Sequence, residues 1–151
     1  MHLWIDADAC PLPVKTIVCK AAERLQIQTT FLANHWIQLP ASKVIRVRQV
    51  EKGFDVADCA ILADLKVGDV VVTQDIPLAS EVVSLGGLAI NPRGTLYTAD
   101  NMHGYLVRRN RAEEMRAIGF QGTPIEPYGK KHSQAFANAL DKVLQQCTRK
   151  S

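Results

Sequence analysis

The sequence predicts an α/β fold, a single-domain three-layer sandwich around a mostly parallel central sheet, and three observations carry that prediction. Short apolar runs alternate with segments of helical apolar spacing along the chain. One of the runs, Asp69 to Thr73 (DVVVT), has consecutive valines, as a strand covered on both faces requires. The length of 151 residues, with no repeat, low-complexity tract or composition shift, suits one domain over 1–151.

Leu3 to Ile5 is short, apolar and followed directly by a turn, the pattern of a buried strand. From Pro11 onward, Val14, Ile17, Val18, Ala21 and Leu25 recur at helical spacing, with Lys15, Lys20, Glu23 and Arg24 opposite. Gln28 to Ala33 and Lys43 to Val50 are rich in β-branched residues and read as strands. Asp55 to Lys66 reads as a helix that Asp55 can cap and Gly68 can stop. Asp69 to Thr73 is the next strand, Pro77 to Leu85 a short helix ended by Gly86 and Gly87, and Leu88 to Ile90 a strand running into Asn91-Pro92-Arg93-Gly94. Asp100 to Ile118 is predicted helical, Gly119 to Gly129 a loop, and Phe136, Leu140, Val143, Leu144 and Cys147 mark a terminal amphipathic helix.

With 47% apolar and 22% charged residues, the composition is that of a globular protein, and disordered and fibrous classes are set aside. The net charge of +3 is compatible with a polyanionic partner without requiring one. Cys10, Cys19, Cys59 and Cys147 form no Cys-x-x-Cys pair, so reduced thiols and a cytoplasmic location are expected. Asp6 and Asp8 interrupt the first apolar run and no later run reaches spanning length, so no membrane association is expected. Neither a Gly-x-Gly-x-x-Gly motif nor a Walker-type loop is present, which argues against nicotinamide and nucleoside-triphosphate sites.

The chemistry concentrates in aspartates. In a parallel sheet the loops at the carboxyl ends of the strands meet at one edge, where ligands bind. Asp6 and Asp8 follow the first strand, Asp55 and Asp58 open a helix, and Asp75 follows the valine strand. On an extended backbone Asp6 and Asp8 point the same way. Asp55 and Asp58 share a helical face. Clustered carboxylates repel unless a cation neutralises them. Hard oxygen ligands suit Mg²⁺ or Mn²⁺, and such ions assist phosphodiester hydrolysis. Four of the five acids also have a plainer reading: Asp55 and Asp58 as helix-start residues, Asp8 as a cap for the helix near Pro11, Asp75 as a turn residue before Ile76-Pro77. Asp6 ends a buried strand and has no such local task.

Arg93 follows a strand and can reach the same edge to hold a phosphate, with a solvated loop residue as its alternative. Arg108, Arg109 and Arg111 can extend a track for a nucleic-acid backbone, or form an ordinary charged helix face. Lys130, Lys131 and His132 read as solvated. Cys10 lacks the arginine that a cysteine phosphatase loop places six residues on, since that position is Thr16. The histidines His2, His35, His103 and His132 are dispersed, against a zinc site. Trp4 and Trp36 read as core or loop packing rather than as base-stacking platforms.

The segments IDADACP near the start, GFDVADCAI from Gly53, GDVVVTQDIPLA from Gly68 and NPRGTLYTADN from Asn91 together resemble the bacterial YaiI/YqxD family over nearly the whole chain. That family is similar to the PIN-like nuclease superfamily, whose members hold divalent metal with acidic residues at the carboxyl edge of a parallel sheet and cut RNA or DNA. The resemblance implies a PIN-like domain with Asp6 and Asp8 at the first acidic position, Asp55 or Asp58 at the middle one and Asp75 at the last. Its tail departs from the pattern: relatives have an acidic residue four before the phenylalanine that starts the last apolar stripe, where this chain has His132 before Phe136.

The expected function is therefore a divalent-metal-dependent nuclease with nucleic acid, RNA favoured, as partner. Asp6, Asp8 and Asp75 are its expected catalytic residues, these three with Asp55 and Asp58 its metal ligands, and Arg93, Arg108, Arg109 and Arg111 its phosphate contacts. Two alternatives stand beside it. A phosphohydrolase of the haloacid-dehalogenase type would use Asp6 as nucleophile, Asp8 as acid and Thr73 at the end of its second strand. A non-catalytic nucleic-acid-binding module would rely on Lys43, Arg46, Arg48 and the Arg108 to Arg111 helix. An oligomer is compatible with the sequence.

Overall fold

The computed structural model describes residues 1–51, 56–119 and 126–149. Its central strand, β1 (His2–Asp6), pairs in parallel with β2 (Gln28–Ala33) on one side and β4 (Val70–Val72) on the other. With β3 (Ile45–Gln49), β5 (Leu88–Ile90) and β6 (Leu96–Tyr97) the six-stranded order is β3-β2-β1-β4-β5-β6, and β6 alone runs antiparallel to its neighbour. The sequence does not announce β6, because two residues are too few to show an alternation.

Strand alternation divides the interior in two. Leu3 and Ile5 of β1, Phe31 and Ala33 of β2, and Val70 and Val72 of β4 face α1 (Leu12–Leu25) and α5 (Lys130–Arg149), meeting Val14, Val18, Phe136, Leu140 and Leu144. Trp4, Leu32 and Val71 face the opposite way, onto a layer built from α2 (Val56–Asp64), α3 (Ile76–Ser84) and α4 (Ala99–Ala117). The result is the predicted three-layer sandwich. Local signals set the helix starts. Pro11 is the N-cap of α1, and Thr98 and Asn101 form a reciprocal capping box that starts α4 just before the predicted Asp100.

The loop after β5 is locked to α5 by close approach. Gly94 has φ +96°, and a Cβ there would lie 2.8 Å from the Ala135 backbone, so both conformation and space require glycine. That contact brings the first turns of α5 beside the carboxyl end of the sheet.

The opposite, amino end is held by one buried carboxylate. Asp69 Oδ1 accepts the His2 backbone N–H at 3.0 Å, and Oδ2 accepts Trp4 Nε1–H at 3.1 Å and the Lys66 N–H at 2.9 Å. His2 stacks on Trp4 at 4.1 Å and its Nε2 lies 2.7 Å from Thr30 Oγ1. Strands β1, β2 and β4 are thus registered at one end by side chains. Asp69→Ala leaves three donors unsatisfied and is expected to cost about 3 kcal/mol in urea denaturation. Asp69→Asn, which keeps one acceptor oxygen, is expected to cost less. A loss below about 0.5 kcal/mol for Asp69→Ala would show that this network does not hold the sheet.

Candidate active site

The chain leaves β1 toward β2 and β3 on one side of the sheet, then returns to β4 on the other, so strand order reverses between β1 and β4. The crevice at such a reversal, outside the carboxyl ends of the strands, is where ligands bind in open α/β sheets. Asp6 ends β1 there, and Thr73 and Asp75 follow β4.

These three residues form one hydrogen-bonded chain. Asp6 is buried, and its Oδ2 accepts the Thr73 hydroxyl at 3.0 Å. Thr73, itself fully buried, accepts the Asp75 N–H at 3.0 Å through the same Oγ1. Asp75 Oδ1 in turn accepts the Leu78 N–H at 3.1 Å and so caps α3. The local role foreseen for Asp75 is present in the form of an N-cap, and it occupies one carboxylate oxygen. Thr73 is the residue that sequence reasoning missed as a link between the acids. Its signal was a hydroxyl closing an otherwise apolar strand two residues before an aspartate.

Asp8 corrects two expectations. Residues Ala7–Ala9 form a 3-10 turn, so the extended backbone that would align Asp6 with Asp8 is absent. Asp8 does not cap α1 either, because Pro11 occupies that position without a side-chain cap. Instead its Oδ2 accepts the Asn34 N–H at 2.8 Å and its Oδ1 lies 3.3 Å from His35 Nδ1. The carboxylate pins the loop after β2 to the edge.

Burial raises the pKa of Asp6, and the charges of Asp75 and Asp8 raise it further; the Thr73 hydrogen bond offsets part of this. Burial also pushes the Cys10 thiol up to about 12, with Asp6 adding to the shift and Lys15 opposing it, so Cys10 is a poor nucleophile.

Of the middle acids, Asp55 lies outside the described residues. Asp58 lines a cavity of about 240 Å³ with Asp75, Glu81 and Arg109, so three carboxylates and one guanidinium border the space beside the crevice. Arg109 also pairs with Glu113 at 2.9 Å along α4. The other arginines are placed differently. Arg93 donates to the Glu126 carbonyl at 2.6 Å and lies 3.0 Å from His132 Nε2, tying the loop after β5 to the start of α5. Arg108 lies over the Tyr105 ring at 4.6 Å and donates to the Gly104 carbonyl, and Arg111 is exposed. His132, where an acid was expected by resemblance, accepts the Gly129 N–H on Nδ1 and contacts Arg93. Lys131 is exposed and paired with Glu126, whereas the His132 side chain is largely covered and is not the solvated residue expected.

The donor set suits a hard divalent cation chemically, and its assembly is partial. Among the described residues no three His, Cys, Asp or Glu side chains come together as a ready metal cluster. Magnesium, however, commonly uses one or two carboxylates and completes its shell with water and phosphate oxygens. Thr73 bridges the Asp6 carboxylate to the Asp75 backbone, and each of the two carboxylates has a second oxygen outside the bonds above.

Fold and site together define an α/β sandwich with an acidic crevice at the switch point of its parallel sheet. The chain belongs to the YaiI/YqxD family: the model described as "Uncharacterized BCR, YaiI/YqxD family" matches residues 4–146. It is 51% identical over 144 residues to a UPF0178 protein of Aeromonas hydrophila, covering 95% of this chain and 96% of that one. A UPF0178 protein of Marinobacter nauticus is 49% identical over 150 residues, covering 99% and 100%. One from Shewanella halifaxensis is 46% identical over 144 residues, covering 95% of each. No solved structure matches the chain. No helix among the described residues is long and apolar enough to cross a membrane.

The raised pKa of Asp6 has a measurable consequence for stability. Between the unfolded carboxyl pKa and its raised folded value the native state holds more protons, so stability from this group is present at low pH and lost as pH rises. Asp6→Asn keeps an acceptor oxygen for Thr73 and removes the charge. Its melting temperature at pH 7 is expected to exceed that of the wild type, with the gap closing toward pH 4. A lower melting temperature for Asp6→Asn at pH 7 would show that the carboxylate stabilises the fold.

Proposed function

We propose that the protein is a divalent-metal-dependent phosphodiesterase, a nuclease with RNA as preferred substrate, working at the crevice between β1 and β4. The observation that carries this reading is the buried Asp6 carboxylate. It is joined through Thr73 to the Asp75 backbone, and among the described residues the neighbouring charges that act on it are the carboxylates of Asp75 and Asp8. A protein that keeps such a group forgoes stability, and cation binding is the use that explains the arrangement.

In this reading Asp6 and Asp75 would hold Mg²⁺ or Mn²⁺, and Asp58 of α2 shares with Asp75 a neighbouring cavity that Asp6 does not line. The bound ion would supply Lewis-acid stabilisation of phosphate oxygens and a lowered pKa for water. Thr73 fixes the rotamer of Asp6 and the backbone of Asp75 through one hydroxyl. Asp6 Oδ1, the oxygen that Thr73 leaves unbonded, would be the ligand atom that this residue offers the ion. Arg109 borders the cavity and is the phosphate contact. Arg93 serves instead to place α5. Asp8 acts through the loop it pins. The resemblance to PIN-like nucleases, which cut RNA or DNA, supports a nucleic-acid substrate, with RNA as the one we favour.

Labelled single-stranded RNA, single-stranded DNA and a simple phosphate monoester, each incubated with Mn²⁺, test the proposal. Internal cleavage of RNA is expected, falling roughly a hundredfold or more in Asp6→Asn. Release of phosphate from the monoester alone would point to a phosphohydrolase. Cleavage undiminished by Asp6→Asn would remove the crevice from the mechanism.

A further inference from the structure

Trp36 does not pack, contrary to its expected role. It is 70% exposed, whereas Trp4, the only other tryptophan, is 7% exposed and bonded to Asp69. An exposed indole on a loose loop would mean little, but this loop is held from both sides. Asp8 takes the Asn34 N–H and neighbours His35 immediately before it. Ile37 and Leu39 pack against the core immediately after it. Anchored at 34–35 and again at 37 and 39, the backbone presents Trp36 to solvent beside the acidic edge.

The residues that follow Trp36 in the chain, Gln38 to Pro40, border a groove that carries positive charge. A groove of about 210 Å³ between α1 and this loop is lined by Leu12, Lys15, Lys20 and Leu39. Neither lysine has an ion-pair partner among the described residues. A polyanion approaching carboxylates is repelled near them, so its affinity has to come from lysines set to one side and from contacts that carry no charge. An aromatic face provides the second kind, because every nucleobase has a π-face to stack on it.

We propose that Trp36 is a stacking platform for a nucleobase of a single-stranded polynucleotide, with Lys15 and Lys20 taking the adjoining phosphates. This deepens the nuclease reading and rests on it for the choice of ligand, while its test needs no turnover. A duplex hides its base faces and is a poor partner for such a platform.

The probe is a fluorescein-labelled oligouridylate of roughly twelve nucleotides, added to the full chain in EDTA and low salt. Binding is read by anisotropy, and an unlabelled copy is used to read tryptophan fluorescence. The single strand is expected to quench the exposed indole, and a duplex of equal length is not. Trp36→Ala should weaken binding about ten- to hundredfold with an unchanged melting curve, and Trp36→Tyr should restore it to within about threefold. Lys15→Ala with Lys20→Ala should weaken binding and make it less dependent on salt. Equal affinity in wild type and Trp36→Ala, no binding by the wild type, or equal quenching by duplex would each overturn the platform. Cleavage that depends on Asp6 but not on Trp36 would overturn it while leaving the nuclease standing, and quenching without any cleavage would do the reverse.

Discussion

A carboxylate buried at the end of the central strand is the constraint around which the carboxyl edge is arranged. Asp6 cannot leave that position, because β1 is paired on both sides and its neighbours Leu3 and Ile5 are fully buried. The Thr73 hydroxyl is what ties it down, and since the same oxygen receives the Asp75 N–H, β4 and the start of α3 are fixed by the same link. Loss of that hydroxyl would uncouple the two acids that border the crevice.

The two ends of the sheet place the same residue type in opposite surroundings. At the amino end Asp69 receives three donors and binds the strands together. At the carboxyl end Asp6 receives one among the described residues, and Asp75 and Asp8 act on it as like charges. A buried carboxylate is compensated by hydrogen bonds or by a cation. Asp69 has the first form of compensation, and the proposal assigns the second to Asp6. The elements nearby support the crevice without entering it: Arg93, His132 and Gly94 set α5, and Asp8 sets the loop that carries Trp36.

The sheet and its layers were legible because their signals are local and repeated. Consecutive valines in β4, helical spacing in α1 and the β-branched run of β2 each specify an element over several residues. Asp6 was legible as the unusual acid for the same reason, standing at the end of an apolar strand with no turn or cap to serve. What the sequence could not show was decided by neighbours far along the chain. Asp8 depends on Asn34 and His35, Arg93 on Glu126 and His132, and Asp6 on Thr73. Trp36 was misread because its side-chain type suggests packing, while the adjacent Ile37 and Leu39 already fill the core on that side. The 3-10 turn after β1 likewise follows no apolar period, so the alignment of Asp6 with Asp8 rested on a backbone form the chain does not keep.

The most direct measurement is the effect of Mn²⁺ on thermal unfolding of the wild type, Asp6→Asn and Asp75→Asn at neutral pH. A ligand that binds only the folded state stabilises it, by about 2.7 kcal/mol at a hundredfold its dissociation constant. The account predicts a concentration-dependent rise in the wild type that is lost or sharply reduced in both variants. An equal rise in all three proteins, or none in the wild type, would contradict a cation site at Asp6 and Asp75.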